Sequence, residues 1–79
     1  MAMIALLNGD KHYMCCCKDI KDFLVAYAIH IGGIDTKVFE ILVNSNQMST
    51  EELIKYINDN VYSWEDEITE IYEVGEKIC

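Results

Sequence analysis

The sequence contains no arginine and no proline. Without arginine it lacks the planar fork that grips phosphate bidentately, and its only strong cations are six lysines, set against fourteen Asp and Glu for a net charge of −8. A chain of that sign is repelled by the DNA backbone. Direct nucleic-acid binding is therefore not expected, and a basic protein partner is. With no proline, no stiff linker divides the chain. Long apolar runs are missing too: FLVAYAIHIGGI, residues 23–34, falls short of the roughly 18 residues that a membrane span needs. The opening MAMIALLNGD has no basic n-region and too short an apolar stretch for a signal peptide. These absences predict a cytoplasmic location, no membrane partner and reduced cysteines.

Signatures of chemistry are equally scarce. No P-loop, dinucleotide fingerprint or EF-hand is present, and NDN at 58–60 lacks the glycine and terminal glutamate of a calcium loop. A nucleophile would need His12 or His30 beside it, and His12 and Cys16, four apart on one strand face, are too distant for a hydrogen bond. Carboxylates abound, but an acid/base pair needs a cleft that a chain of 79 residues rarely spares. The expectation is a non-enzymatic protein without a cofactor.

What is present describes a single compact domain, residues 1–79. Such a domain buries only about 60 % of its unfolded surface, and the 52 % hydrophobic content supplies a core for it. Asn8-Gly9 in IALLNGDKHYM predicts a type I′ hairpin pairing Leu7 with Asp10, Ala5 with His12, Ile4 with Tyr13 and Met3 with Met14. If the second strand continues through MCCCKD, Cys15 and Cys17 share a face with Tyr13 and Cys16 points the other way. Three thiols so divided do not converge on a metal, and the Cys-x-x-Cys spacing is missing, so packing is the expected role. A four-ligand site would have to recruit Cys79 and a histidine. Cys17, near a helix start at Asp19, is the one thiol that a helix dipole could make redox-sensitive.

From Asp19 the period becomes helical. Ile20, Phe23, Leu24, Tyr27, Ala28 and Ile31 form one face, Val25, Ala26 and Ile29 the other, and Gly32-Gly33 ends the helix, which is expected to be central. TKVFEILVNSN reads as a strand covered on both faces, with a short helix as the alternative. MSTEELIKYINDN carries a Ser49/Glu52 capping box and predicts a helix from about Thr50 to Asn60.

SWEDEITEIYEVGEKIC reads two ways. As a helix it has Ser63 and Asp66 as a capping box, a stripe of Trp64, Ile68, Ile71 and Tyr72, and Gly75 at its end. On that reading GIDTKVFEIL, STEELIKYI and SWEDEITEIYEVG resemble the three helices of a winged helix-turn-helix regulator. The would-be recognition helix then carries Glu65, Asp66, Glu67, Glu70 and Glu73 where a DNA reader needs Arg, Lys, Asn or Gln. As a strand, it gives the hairpin the support that an isolated hairpin lacks in water. The favoured fold is accordingly α+β: a small single-layer antiparallel or mixed four-stranded sheet with two helices on one face, in ββαβαβ order. The mostly α, winged-helix-like arrangement is the alternative.

Six carboxylates, Glu65, Asp66, Glu67, Glu70, Glu73 and Glu76, fall within twelve residues beside Trp64. As a solvated face they keep a small protein soluble. As a docking surface they imitate a phosphate backbone and occupy a lysine- and arginine-lined channel, with Trp64, Tyr62 and Tyr72 as aromatic anchors. The functional expectation is an inhibitor of a basic host protein or nucleoprotein complex. In small size, acidity and Arg-free composition the chain resembles inhibitors carried by phages and mobile elements, anti-CRISPR proteins among them. A degenerate winged-helix regulator or homodimerising protein, and a thiol-dependent metal or redox protein, are the alternatives from other classes.

Overall fold

The structure, a computed structural model, describes residues 1–75. Two strands, β1 (Ala2–Leu7) and β2 (His12–Cys16), are followed by helices α1 (Ile20–Ile31), α2 (Thr36–Asn44) and α3 (Thr50–Asn60), a 3-10 turn (Trp64–Asp66) and strand β3 (Ile68–Gly75). The fold is α+β, with three antiparallel strands in the order β2-β1-β3 and β1 in the middle. Among the described residues the fourth strand and the ββαβαβ order expected from the sequence are not found. Residues 36–44 are helical, and the helices number three among the described residues.

The hairpin forms one residue out of the expected register. Ala5 pairs with Tyr13, Ile4 with Met14 and Met3 with Cys15, and Leu7 N donates to Lys11 O at 2.8 Å across a three-residue loop. The cause is tertiary. Asp10, not Gly9, takes the left-handed conformation (φ 59), as in a type I turn closed by a left-handed residue. Gly9 is where the 3-10 turn crosses the loop: its N donates to Glu65 O at 3.1 Å, and a Cβ there would stand 2.7 Å from that of Glu65. One residue of slip reverses every side chain's face. The core face therefore carries Met3, Ala5, Tyr13 and Cys15, and the outer face Ile4, Leu6, His12, Met14 and Cys16.

Helix α1 starts as its sequence predicts, with the Asp19 carboxylate accepting from Asp22 N at 2.8 Å, and ends at Gly32 in the left-handed region (φ 74). Phe23, Leu24, Tyr27 and Ala28 are fully buried, but Ile29 is 58 % exposed, so α1 buries one face and not two. The beginning of α2 is set by Asp35, whose carboxylate accepts from the backbone N–H groups of Lys37 and Val38. That cap and the burial of Phe39 and Val43, one turn apart, override the β propensity of the segment. The predicted box at α3 is complete: Ser49 N donates to Glu52 Oε1 at 3.0 Å and Glu52 N to Ser49 Oγ at 3.2 Å.

The 3-10 turn and β3 replace the third helix of the winged-helix alternative. Ile68 pairs with Leu7 and Glu70 with Leu6, so Thr69 is looped out and donates its Oγ1 to Leu6 O at 3.0 Å. This bulge turns both Ile68 and Ile71 to the core, and their spacing of three is what imitates a helical stripe. A second irregularity lies at Val74, between the Met3–Glu73 and Ala2–Gly75 pairs. Helices α1 and α3 pack against the sheet and α2 packs against α1, and Phe39, Leu53, Ile57 and Ile68 join Met3 and Ala5 in one core.

Candidate functional site

Folding does not present the acidic run as one continuous face. In the 3-10 turn, Asp66 is used structurally: its Oδ1 accepts from Lys11 Nζ at 2.8 Å, and its carbonyl accepts from the Tyr27 hydroxyl at 2.6 Å. Lys11 is held above its ordinary pKa, first by that hydrogen bond. Glu67 is half-buried and its carbonyl accepts from Asn8 N at 2.9 Å. Asp66, whose carboxylate is already paired, is thereby removed from the expected docking set. Glu65, Glu70 and Glu73 are exposed, and Glu76 lies outside the described residues.

Strand β3 sorts the rest. Glu70 and Tyr72 share the outer face with Leu6 and Ile4, whereas Ile71 and Glu73 share the opposite face with Ala5 and Met3. The Tyr72 hydroxyl donates to the Glu70 carboxylate, which holds the phenol above its usual pKa. Of the aromatic anchors, Tyr62, Trp64 and Tyr72 are 87 %, 62 % and 52 % exposed, so none is core. The outer face adds Leu6 and Met14, both exposed, and among the described residues no helix covers it. Sequence reasoning missed this apolar sheet face because the expected register put Tyr13 beside Ile4.

It missed Asn58 as well. The Asn58 side chain accepts from Ile68 N at 2.8 Å and donates to Ile68 O at 3.0 Å, closing one position of the β3 edge as a neighbouring strand would. An asparagine two residues before the end of a helix carries no such signal in sequence.

A second concentration of chemistry is the cleft of about 290 Å³ between the hairpin and α1, lined by Lys11, Tyr13, Tyr27, His30 and Asp66 among others. Tyr13 lies at its centre, with ring centroids 4.6 Å from His30, 5.2 Å from Tyr27 and 5.7 Å from Phe23. His30 is exposed, with its ring tilted against that of Tyr13. Burial pushes the Tyr27 phenol up to about 12 and raises Tyr13. Both phenols and Lys11 move away from neutrality, which is opposite to what a proton carrier requires.

The cysteines divide. Cys15 and Cys17 are free and half-buried beneath the sheet. Burial raises the Cys17 thiol, overruling the dipole argument for a reactive thiolate. Cys16 is disulfide-bonded, which corrects the expectation of reduced thiols throughout. Among the described residues no three His, Cys, Asp or Glu side chains are grouped to hold a metal ion, and no helix is long and apolar enough to cross a membrane.

Compared with protein-family models, with curated proteins and with solved structures, the chain matches none.

Proposed function

We propose that this chain is a non-enzymatic protein-binding module, an inhibitor that works in the cytoplasm by engaging a basic, nucleic-acid-binding host protein or complex through its acidic surface. The observation that carries the reading is the composition of β3 and the turn before it. Exposed Glu65, Glu70 and Glu73 flank exposed Trp64 and Tyr72, with little cationic compensation. Exposed carboxylates steer a cationic partner from a distance and set register, while large aromatic rings supply the desolvated contact area that holds it. The docking set is narrower than the acidic run, because Asp66 is satisfied by Lys11.

The test is affinity capture from host lysate with the native chain and with a Glu65→Lys, Glu70→Lys, Glu73→Lys variant of native circular dichroism. A nucleic-acid-binding protein retained by the native chain at low salt, released by high salt and not retained by the variant is the expected result. Equal retention by both would refute the acidic surface as the site. Capture of nothing but a second copy would move the reading to a homodimer.

A further inference from the structure

Among the described residues β3 is an edge strand, and the pairing specifies which of its backbone groups have no partner there. Leu7 turns its N–H toward β2, where it meets Lys11 O. Residues along a strand alternate in this respect, so Leu6 and Ile4 face β3 while Ala5 and Met3 face β2. Their partners follow: Glu70 and Tyr72 turn their N–H and C=O groups to β1, and Ile71 and Glu73 turn theirs to the open edge. At the start of the strand the corresponding groups of Ile68 are taken by Asn58. The open register thus begins beyond Ile68 and centres on Ile71 and Glu73.

We propose that this edge binds an extended segment of a protein partner as a fourth strand, and that Glu70 and Glu73 select a segment with the pattern basic, apolar, apolar, basic. The inference rests on the acidic-surface reading above and specifies how that surface is used. Residues directly opposite one another in adjacent strands share a face at about 4.5–5.5 Å between Cβ atoms. A lysine or arginine opposite each glutamate therefore pairs on opposite faces of the new strand. The two apolar residues between them meet Ile71 on the helix side and Tyr72 on the outer face. The spacing of the two glutamates is the same read from either end, so the pattern fits a parallel or an antiparallel segment.

Charge selects the occupant. A second copy pairing β3 antiparallel against β3 would gather the glutamates of both strands at one seam with no cation of either strand among the described residues to meet them, an unfavourable concentration of like charge. A cationic segment turns that liability into recognition, and backbone pairing supplies hydrogen bonds that side-chain contact alone does not.

The test uses the full chain, labelled with nitrogen-15, and the end-capped peptide Thr-Lys-Val-Val-Lys-Thr, with the reordered Thr-Val-Lys-Lys-Val-Thr as control. We expect the first peptide, at millimolar concentration, to slow amide exchange of Ile71 and Glu73 by about tenfold or more, leaving Glu70 and Tyr72 little changed. Glu73→Gln should weaken this binding by removing charge, and Glu73→Pro should weaken it further by removing an edge N–H that the native sheet does not use. Resonance shifts at the glutamates without protection of Ile71 and Glu73 would leave the acidic surface standing and overturn strand addition. Equal binding of the reordered peptide would overturn the pattern, and so would no response to either peptide. If the protein alone sediments as a dimer with both amides already protected, a second copy occupies the edge and the inference fails.

Discussion

Gly9 and Glu65 meet where the hairpin loop passes beneath the 3-10 turn, with Gly9 N donating to Glu65 O and no room between them for a methyl group. A Cβ on Gly9 would lie 2.7 Å from Glu65 Cβ and 3.2 Å from its Cα, and neither atom belongs to a flexible side-chain end. Gly9→Ala must therefore displace backbone, which costs about 1–3 kcal/mol as overpacking. The expected result is a lower urea midpoint with an unchanged slope. Because Glu65 and Glu67 both accept from this loop, the variant should also speed amide exchange at Asn8 and Gly9.

That contact explains why the hairpin was legible in the sequence and its register was not. Asn-Gly announces a turn locally, but Gly9 serves an approach by residues 56 positions further along. Signals confined to one turn of chain were readable: the Ser49/Glu52 box, the Asp19 cap and the Gly32 stop each appear where expected. Ile68 and Ile71 misled for the opposite reason, since the bulge at Thr69 gives a strand the spacing of a helix. The same limit governs the site. Exposure of Glu70, Glu73 and Trp64 agrees with the polarity of the segment, whereas the withdrawal of Asp66 depends on Lys11, and the edge closure depends on Asn58. Both partners come from other elements of the fold.

Residues 39 and 41 separate the two secondary structures that the TKVFEILVN segment admits. In a strand, Phe39 and Ile41 would share a face and be buried alike. In α2 they diverge, Phe39 being fully buried and Ile41 68 % exposed. Phe39→Ala should then cost about 3–5 kcal/mol, and Ile41→Ala no more than about 0.5 kcal/mol. Chemical denaturation of the two variants decides it; comparable losses would contradict the helix.

Asn58 is the joint between α3 and β3. Removing its amide strands both the N–H and the C=O of Ile68 in a partly buried position, since no other described group is bonded to them there. A half-buried polar group left without a partner costs about 1–3 kcal/mol. Asn58→Ala should lower stability by that order and speed amide exchange at Ile68. Asn58→Asp keeps the acceptor for Ile68 N and loses the donor to its carbonyl, so it should fall between the two. If Asn58→Ala matched the native protein, the amide would not be closing the edge.

The alkaline limb of stability should belong largely to Tyr27. Its hydroxyl donates to the Asp66 carbonyl, and burial, followed by the charge of Asp66, raises its pKa from about 10 in the unfolded chain to about 12 in the fold. A raised folded pKa means that the native state holds the proton more tightly than the unfolded one. The associated stability is complete below pH 10 and is lost as the pH climbs through 10 toward 12. Tyr27→Phe forfeits the hydrogen bond, about 0.5–1.5 kcal/mol at neutral pH, but has no phenol to ionise. Tyr13, Tyr72 and Cys17, each also shifted upward, remain in both proteins. The difference between native and variant should therefore shrink above pH 10 in urea denaturation followed by circular dichroism. A difference that stays constant to pH 11.5 would mean that the Tyr27 proton is no better held in the fold than in the unfolded chain.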